Sequence, residues 1–162
     1  MNQHQAEILE DLAWDNAPSQ IKAGFISALQ EAEHSYLIRP TEYVRSWENA
    51  SIVFLMLSDT EIEQYLLDLL NWLKDLNWPG AEFILKRLQR VSSDLLCVPL
   101  ENAAKLASAS HDEQWLAWIS ILIANSNMIN LLNADTISLL KPFALEYWNW
   151  DYDSILALIN RK

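Results

Sequence analysis

Cysteine is almost missing from this chain. Cys97 stands alone, so no disulfide can form within the protein, and its place in the apolar run Leu95 to Leu100 reads as a buried, inert thiol. Glycine is nearly as rare: two glycines and five prolines in 162 residues leave few sites for the tight turns that a many-stranded sheet requires. Positive charge is also short. With 11 basic against 22 acidic residues the formal charge is −11, which makes a nucleic-acid backbone or an anionic membrane a poor partner and a basic protein surface a better one. The most apolar stretch, Ser51 to Leu57, is far too short to span a bilayer. Met1 to Asp15 carries no lysine or arginine, so the basic region of a secretory signal is missing and a cytoplasmic location is expected.

What the chain does contain is the composition of a packed helical globule: 51% hydrophobic and 20% charged residues, with Leu, Ala, Glu, Gln, Lys and Arg in long stretches. Apolar positions recur every three to four residues. Ile8, Leu9 and Leu12 mark a helix over Gln3 to Trp14, and Pro18 opens a second whose face is Ile21, Phe25, Ala28 and Leu29, the pair being closed by Pro40. A third helix is expected after Thr41 with Tyr43, Val44 and Trp47 on its inner side, although Ser51 to Leu57 also fits a buried strand. Ser58 and Glu61 have the spacing of a capping box, and behind them Ile62, Leu66, Leu69, Leu70 and Leu73 form a single stripe. Pro79 is read as the start of the next helix, with Ala81, Ile84, Leu85, Leu88 and Val91 inward. Pro99 to Ala109 gives one further arm. Ser110 with Glu113 repeats the capping pattern before Trp115, Trp118, Ile119, Leu122 and Ile123. Asp135 begins a segment that Pro142 kinks or restarts, and Asp151 caps a last helix through Ile155, Leu156 and Ile159. The expected fold is therefore all-α: stacked antiparallel helical hairpins in a HEAT-like α-α superhelix, forming one domain over 1–162.

The run Leu57 to Ala81, followed by Asp112 to Ile123, resembles the bacterial family catalogued as domain of unknown function 5071. The likeness rests on an L-S-D-x-E-I start (Leu57, Ser58, Asp59, Glu61, Ile62), a W-L-x-D-x-N-W-P turn (Trp72, Leu73, Asp75, Asn77, Trp78, Pro79) and a later W-x-x-W pair (Trp115, Trp118). The resemblance implies a short helical-repeat fold with its core at 57–125 and residues 1–56 as a helical extension packed on it. It brings no assigned activity, so no catalytic or binding residue is carried over.

Candidate sites were weighed against plainer roles. Glu31 and His34 match half of a di-iron Glu-x-x-His pattern, but neither His4 nor His111 has a glutamate three residues before it, so the second half is missing. His34 is then read as a surface helix residue and His111 as a solvated cap. The acidic pairs Glu61 with Glu63, Glu31 with Glu33 and Asp151 with Asp153 point to different helix faces and read as solvated surface. No Gly-rich phosphate loop, nucleophile elbow or reactive-cysteine setting occurs, and no catalytic residue, metal ligand or cofactor is assigned. The turn of Asp75, Asn77 and Trp78 has two readings: a cap with a wedging indole, or an exposed rim that meets a partner. The segment holding Trp148, Trp150, Asp151 and Tyr152 is aromatic and acidic enough to serve as a contact surface. The leading expectation is a non-catalytic protein-interaction module, in a specific version a bacterial immunity or antitoxin protein facing a basic toxin. The rival is an enzyme or small-ligand binder with a Trp-lined pocket between hairpins.

Overall fold

The computed structural model describes residues 1–124 and 126–148, and the side chains of 1–123 and 128–144. Every regular element among them is helical: α1 (Gln3–Asp11), α2 (Pro18–Gln30), α3 (Trp47–Met56), α4 (Asp59–Ile62), α5 (Leu66–Trp72), α6 (Ala81–Leu88), α7 (Ser93–Ala109), α8 (Glu113–Ser120), α9 (Ser126–Leu131) and α10 (Ala134–Trp148). Short 3₁₀ turns at Ser35–Leu37, Thr41–Ser46, Glu63–Tyr65 and Ile121–Ala124 join several of them. The stretch Ser51 to Leu57 is helical, within α3 and its cap.

Local chemistry moves several boundaries from where the sequence put them. The first helix stops at Asp11, because the side-chain amide of Asn16 donates to the carbonyls of Glu10 and Asp11 at 2.6 and 3.1 Å and takes over the C-terminal acceptors. The segment after Thr41 is 3₁₀ until Trp47, since Tyr43 leaves helical geometry, and Val44 turns outward to 42% exposure instead of joining the core. Pro79 lies in a turn, and α6 starts only after Gly80, whose φ of +82° is a left-handed conformation. Pro99 opens nothing: it sits inside α7, where burial of Leu96, Leu100, Ala103, Ala104 and Ala107 on both sides of it outweighs one missing backbone bond. Ser110 closes α7 by donating to the carbonyls of Leu106 and Ala107, while Asp112 caps α8 through the Trp115 amide at 2.9 Å. Asn133 in place of Asp135 caps α10, accepting from the Thr136 amide at 2.8 Å, and Pro142 stays within that helix.

The stripe that follows Ser58 is buried as its period requires: Ile62, Leu66, Leu69, Leu70 and Leu73 are all at or below 1% exposure. Ser58 and Glu61 form the capping box, with the Ser58 amide donating to Glu61 at 2.7 Å. Consecutive helices pack in pairs, α1 on α2, α5 on α6 and α7 on α8. Helices further apart in sequence also pack together: α3 with α6, α5 with α7, α7 with α9 and α10, and α8 with α10. The buried side chains from Ile8 in α1 to Ala144 in α10 form one continuous cluster.

The charged link in this stack is Arg87 on α6, which is 5% exposed. Its Nε donates to the Phe54 carbonyl at 3.1 Å, and its Nη2 donates to the Leu57 carbonyl at 2.9 Å and to Asp59 Oδ1 at 2.7 Å. Asp59 Oδ2 in turn accepts the Ser92 amide at 3.1 Å. One buried cation thus ties the end of α3 and the start of α4 to α6, and through Asp59 to the lead into α7. The hydrogen bond from Arg87, with help from the Ser92 amide, holds the Asp59 carboxyl below its ordinary range.

These contacts and the turn at Gly80 carry three stability predictions. Arg87→Met strands the Phe54 and Leu57 carbonyls and should cost about 3 kcal/mol in urea unfolding at neutral pH. Because Asp59 is held low, its contribution is full above its unfolded pKa and is lost as pH falls through its folded value. Asp59→Asn should therefore be less stable than the parent at pH 7 and show a shallower loss of stability on acidification towards pH 3; equal slopes would contradict the coupling. At Gly80 an added Cβ would lie 2.4 Å from Ser51 Oγ and 2.8 Å from the Trp47 carbonyl, so Gly80→Ala should lower stability by about 3 kcal/mol.

Candidate functional site

Three of the residues singled out by sequence, Asp75, Asn77 and Trp78, lie in the turn after α5. Asp75 Oδ1 accepts from both the amide and the side chain of Asn77, at 2.8 and 2.9 Å, and the Asp75 carbonyl accepts the Trp78 amide at 3.1 Å. This self-bonded turn leaves Asn77 exposed and Asp75 and Trp78 half-buried. Neither residue caps α6, whose N-terminal position is Gly80. Inward, Trp78 packs edge-on against Trp47 at 6.2 Å between ring centres, and Trp47 packs in the same way on Trp72. Trp72 continues to Phe54, Phe54 to Tyr65 and Tyr65 to His34, so a spine of six rings crosses the N-terminal half of the core. Trp148 is the last residue of α10; its side chain, and Trp150, Asp151 and Tyr152, lie outside the described residues.

His34 is not a surface helix residue. It is 3% exposed, its Nε2 faces the Ala28 carbonyl at 3.2 Å, and its backbone amide donates to the Tyr65 hydroxyl. Glu31 faces His4 at 3.5 Å instead. Tyr65 donates to Glu33, and although burial pushes the Glu33 carboxyl up, hydrogen bonds from Ser35 and Tyr65 hold it below the ordinary value. Glu33 is thus bound into the fold. Among the described residues no group of three His, Cys, Asp or Glu side chains could hold a metal ion.

Two features of the surface around this turn escaped the sequence reading. One is a groove of 340 Å³ between α5 and the end of α7, lined by Leu67, Asp68, Asn71, Lys74, Leu106, Ser110 and Trp115. Leu67 and Leu106 flank it at 36% and 52% exposure. Trp115 forms its floor, fixed by an indole hydrogen bond to the Leu70 carbonyl at 2.9 Å, and the Lys74 ammonium lies 4.5 Å above the ring. The side-chain Oδ1 of Asn71 is buried without a hydrogen-bond partner. The second is Arg39, whose guanidinium lies over the Trp78 ring at 4.5 Å and whose backbone has a φ of +44°. A leucine at an exposed helix position gives no signal in a periodic pattern that already has its buried stripe. Arg39 sits in a connector for which no regular pattern exists.

The fold and this surface define an all-helical domain with stacked helix pairs and open grooves. Its central and C-terminal part matches the family described as Domain of unknown function (DUF5071), over residues 49–144. The match covers more than half of the chain, which therefore belongs to that family. No curated protein and no solved structure matches the chain.

The three motifs now have structural roles. Ser58 and Glu61 cap, Asp59 pairs with Arg87, Asp75 and Asn77 close a turn, and Trp72 donates to the Pro79 carbonyl at 3.3 Å. Trp115 is 2% exposed, so its role is anchorage. Replacing it by Phe removes the bond to Leu70 and should cost about 2 kcal/mol. Lys74→Met, which leaves the ring in place, should change stability by less than about 1 kcal/mol in the same thermal unfolding experiment.

Proposed function

We propose that this chain is a non-catalytic protein-interaction module, its helix rows stacked as a HEAT-like α-α superhelix, that binds a basic protein through the acid-rich surface around α5. A bacterial immunity or antitoxin role is the specific form that fits a charge of −11, since an acidic surface speeds encounter with a cationic target and matches it on contact. The observation that carries this reading is the pair of solvent-facing leucines, Leu67 and Leu106, flanking an open groove over Trp115 beside the Asp75–Asn77–Trp78 turn. Large apolar side chains held in water at the rim of a shallow groove suit a protein surface better than an enclosed substrate. The stacking of α5 on α7 and α7 on α9, with α3 on α6 and α8 on α10, supports the superhelix. On sequence grounds Trp148, Trp150, Asp151 and Tyr152 belong to the same class of contact residue.

A second reading has one observation in its favour. The buried, unpartnered side-chain Oδ1 of Asn71 in a groove of 340 Å³ would suit a small ligand carrying an N–H or O–H donor.

Tagged full-length protein recovered from its native cells should retain one stoichiometric basic protein that high salt releases. The double variant Leu67→Asp with Leu106→Asp should lose that partner while keeping a parental circular dichroism spectrum. Capture that is indifferent to both salt and the double variant, or a bare monomer in every preparation, would falsify the interaction reading. A rise in melting temperature with one member of a metabolite panel, abolished by Asn71→Leu, would instead favour the small-ligand reading.

A further inference from the structure

We propose that the guanidinium of Arg39, stacked on Trp78, is a binding site for a carboxylate group. The inference goes beyond the interaction reading, because it holds whether that carboxylate is carried by a polypeptide or by a free small molecule.

Arg39 is out of keeping with its surroundings. In a chain with twice as many acidic as basic residues, a half-buried arginine has ample choice of partners. Arg45 pairs with Asp15 at 2.8 Å, Lys86 with Glu82 at 2.6 Å and Arg87 with Asp59 at 2.7 Å. Among the described residues Arg39 makes no ion pair, and its Nε is buried without a hydrogen-bond partner. Its terminal nitrogens have no hydrogen-bond partner among the described residues and are not fully buried. The central carbon of the guanidinium lies over the Trp78 ring, and with Nε buried the terminal N–H groups are the donors on offer.

The backbone carries a cost as well. A φ of +44° is disfavoured for any residue with a side chain, and the following Pro40 pushes the preceding residue towards extended geometry. A left-handed backbone, a buried unpaired N–H and a cation without a bonded counter-ion in one residue are a combination that stability alone does not favour. Strain of this kind collects where a group is held ready for a ligand.

The chemistry of the ligand follows from the fork and its neighbours. A planar guanidinium matches a planar carboxylate with two parallel N–H···O bonds. Asp68 lies close enough to act on Arg39 electrostatically without bonding to it. Its negative charge penalises a doubly charged phosphate about twice as much as a singly charged carboxylate. The Trp78 face and the adjacent Trp47 exclude water from one side, which strengthens a charge-assisted bond on the other.

The test is an NMR titration of the ¹⁵N-labelled full chain, reading the Arg39 Nε–H and Trp78 indole signals, assigned with Arg39→Lys and Trp78→Phe. Sodium acetate should shift both signals to saturation, while sodium chloride at equal ionic strength should not, and inorganic phosphate should bind about tenfold more weakly. Arg39→Lys keeps the charge but loses the fork, so acetate affinity should fall at least about tenfold. Asp68→Asn removes the repulsion and should tighten acetate binding about threefold, which a purely structural Arg39 would not do. If Arg39→Lys fails to fold, Asp68→Asn alone decides. Shifts that never saturate, that chloride reproduces, or that Asp68→Asn leaves unchanged would overturn the proposal. A capped peptide with one central glutamate separates the sources: tighter saturation than acetate assigns the site to a polypeptide carboxylate, and equal affinity to a free one. Because these probes need no native partner, a failed capture from cells and a failed titration remain distinct results.

Discussion

A guanidinium taken out of water is costly unless its donors find acceptors, and Arg87 places its Nε and Nη2 donors by drawing on chain segments far apart in sequence. Two of its acceptors are backbone carbonyls at the end of α3, which a helix leaves without intrahelical partners, and the third is the carboxylate that opens α4. The arginine satisfies a helix terminus, and the terminus satisfies the arginine. Neither is stable in the interior without the other. The Asp59 carboxylate then reaches the Ser92 amide, so the lead into α7 is tied to the same point. Directional bonds of this kind set the angle and register at which α3, α4 and α6 meet, which apolar contact alone leaves loose.

The aromatic spine depends on that placement. Trp47 and Phe54 project from α3, Tyr65 and Trp72 come from α5 and the turn before it, and each ring meets the next edge to face. Edge-to-face geometry tolerates little rotation of one helix against another, so the polar link on one side of α3 and the ring contacts on the other constrain the same helix twice. Gly80 is part of the same arrangement. Only a residue without Cβ lets the turn before α6 pass so close to Ser51 and the Trp47 carbonyl, and that close passage brings Trp78 onto Trp47.

Periodicity made the helices legible because burial is a matter of spacing, and the stripe from Ile62 to Leu73 went inside as its period demands. The capping box at Ser58 and Glu61 was legible for a similar reason, being local to one turn. Boundaries set by competition among nearby polar side chains, or by packing, were not. Asn16 ends α1 from outside the helix, Pro99 is carried within α7 by packing on both sides, and Asp112 outcompetes Ser110 as a cap because Ser110 bonds backward to α7. The turn of Asp75, Asn77 and Trp78 was located, yet its neighbours Arg39 and Leu106 were not, since long-range adjacency leaves no trace in spacing. Arg87 was invisible for the same reason: in the pattern of α6 it occupies one more charged position, and only its partners 28 to 33 residues earlier reveal that it is buried.

The matched span, 49–144, begins two residues after Trp47 and excludes Arg39, yet the two parts of the chain share one interior. Leu9, Leu12 and Leu37 lie in the same buried cluster as Leu69 and Trp72, and the Trp47 indole donates to the Pro40 carbonyl at 3.0 Å. That bond anchors the connector just after Arg39, while Trp78, from inside the matched span, supplies the ring on which the guanidinium rests. The motif residues themselves are largely spent on caps, turns and anchors, so they specify the scaffold more than what it recognises. The Arg39 guanidinium lies where the connector outside the span crosses the scaffold, over the ring of Trp78. Frame and surface are not separate parts there: Trp78 and Trp47 belong to the ring spine and also hold the connector, so a change in either ring disturbs both the packing of α3 and the seat of Arg39.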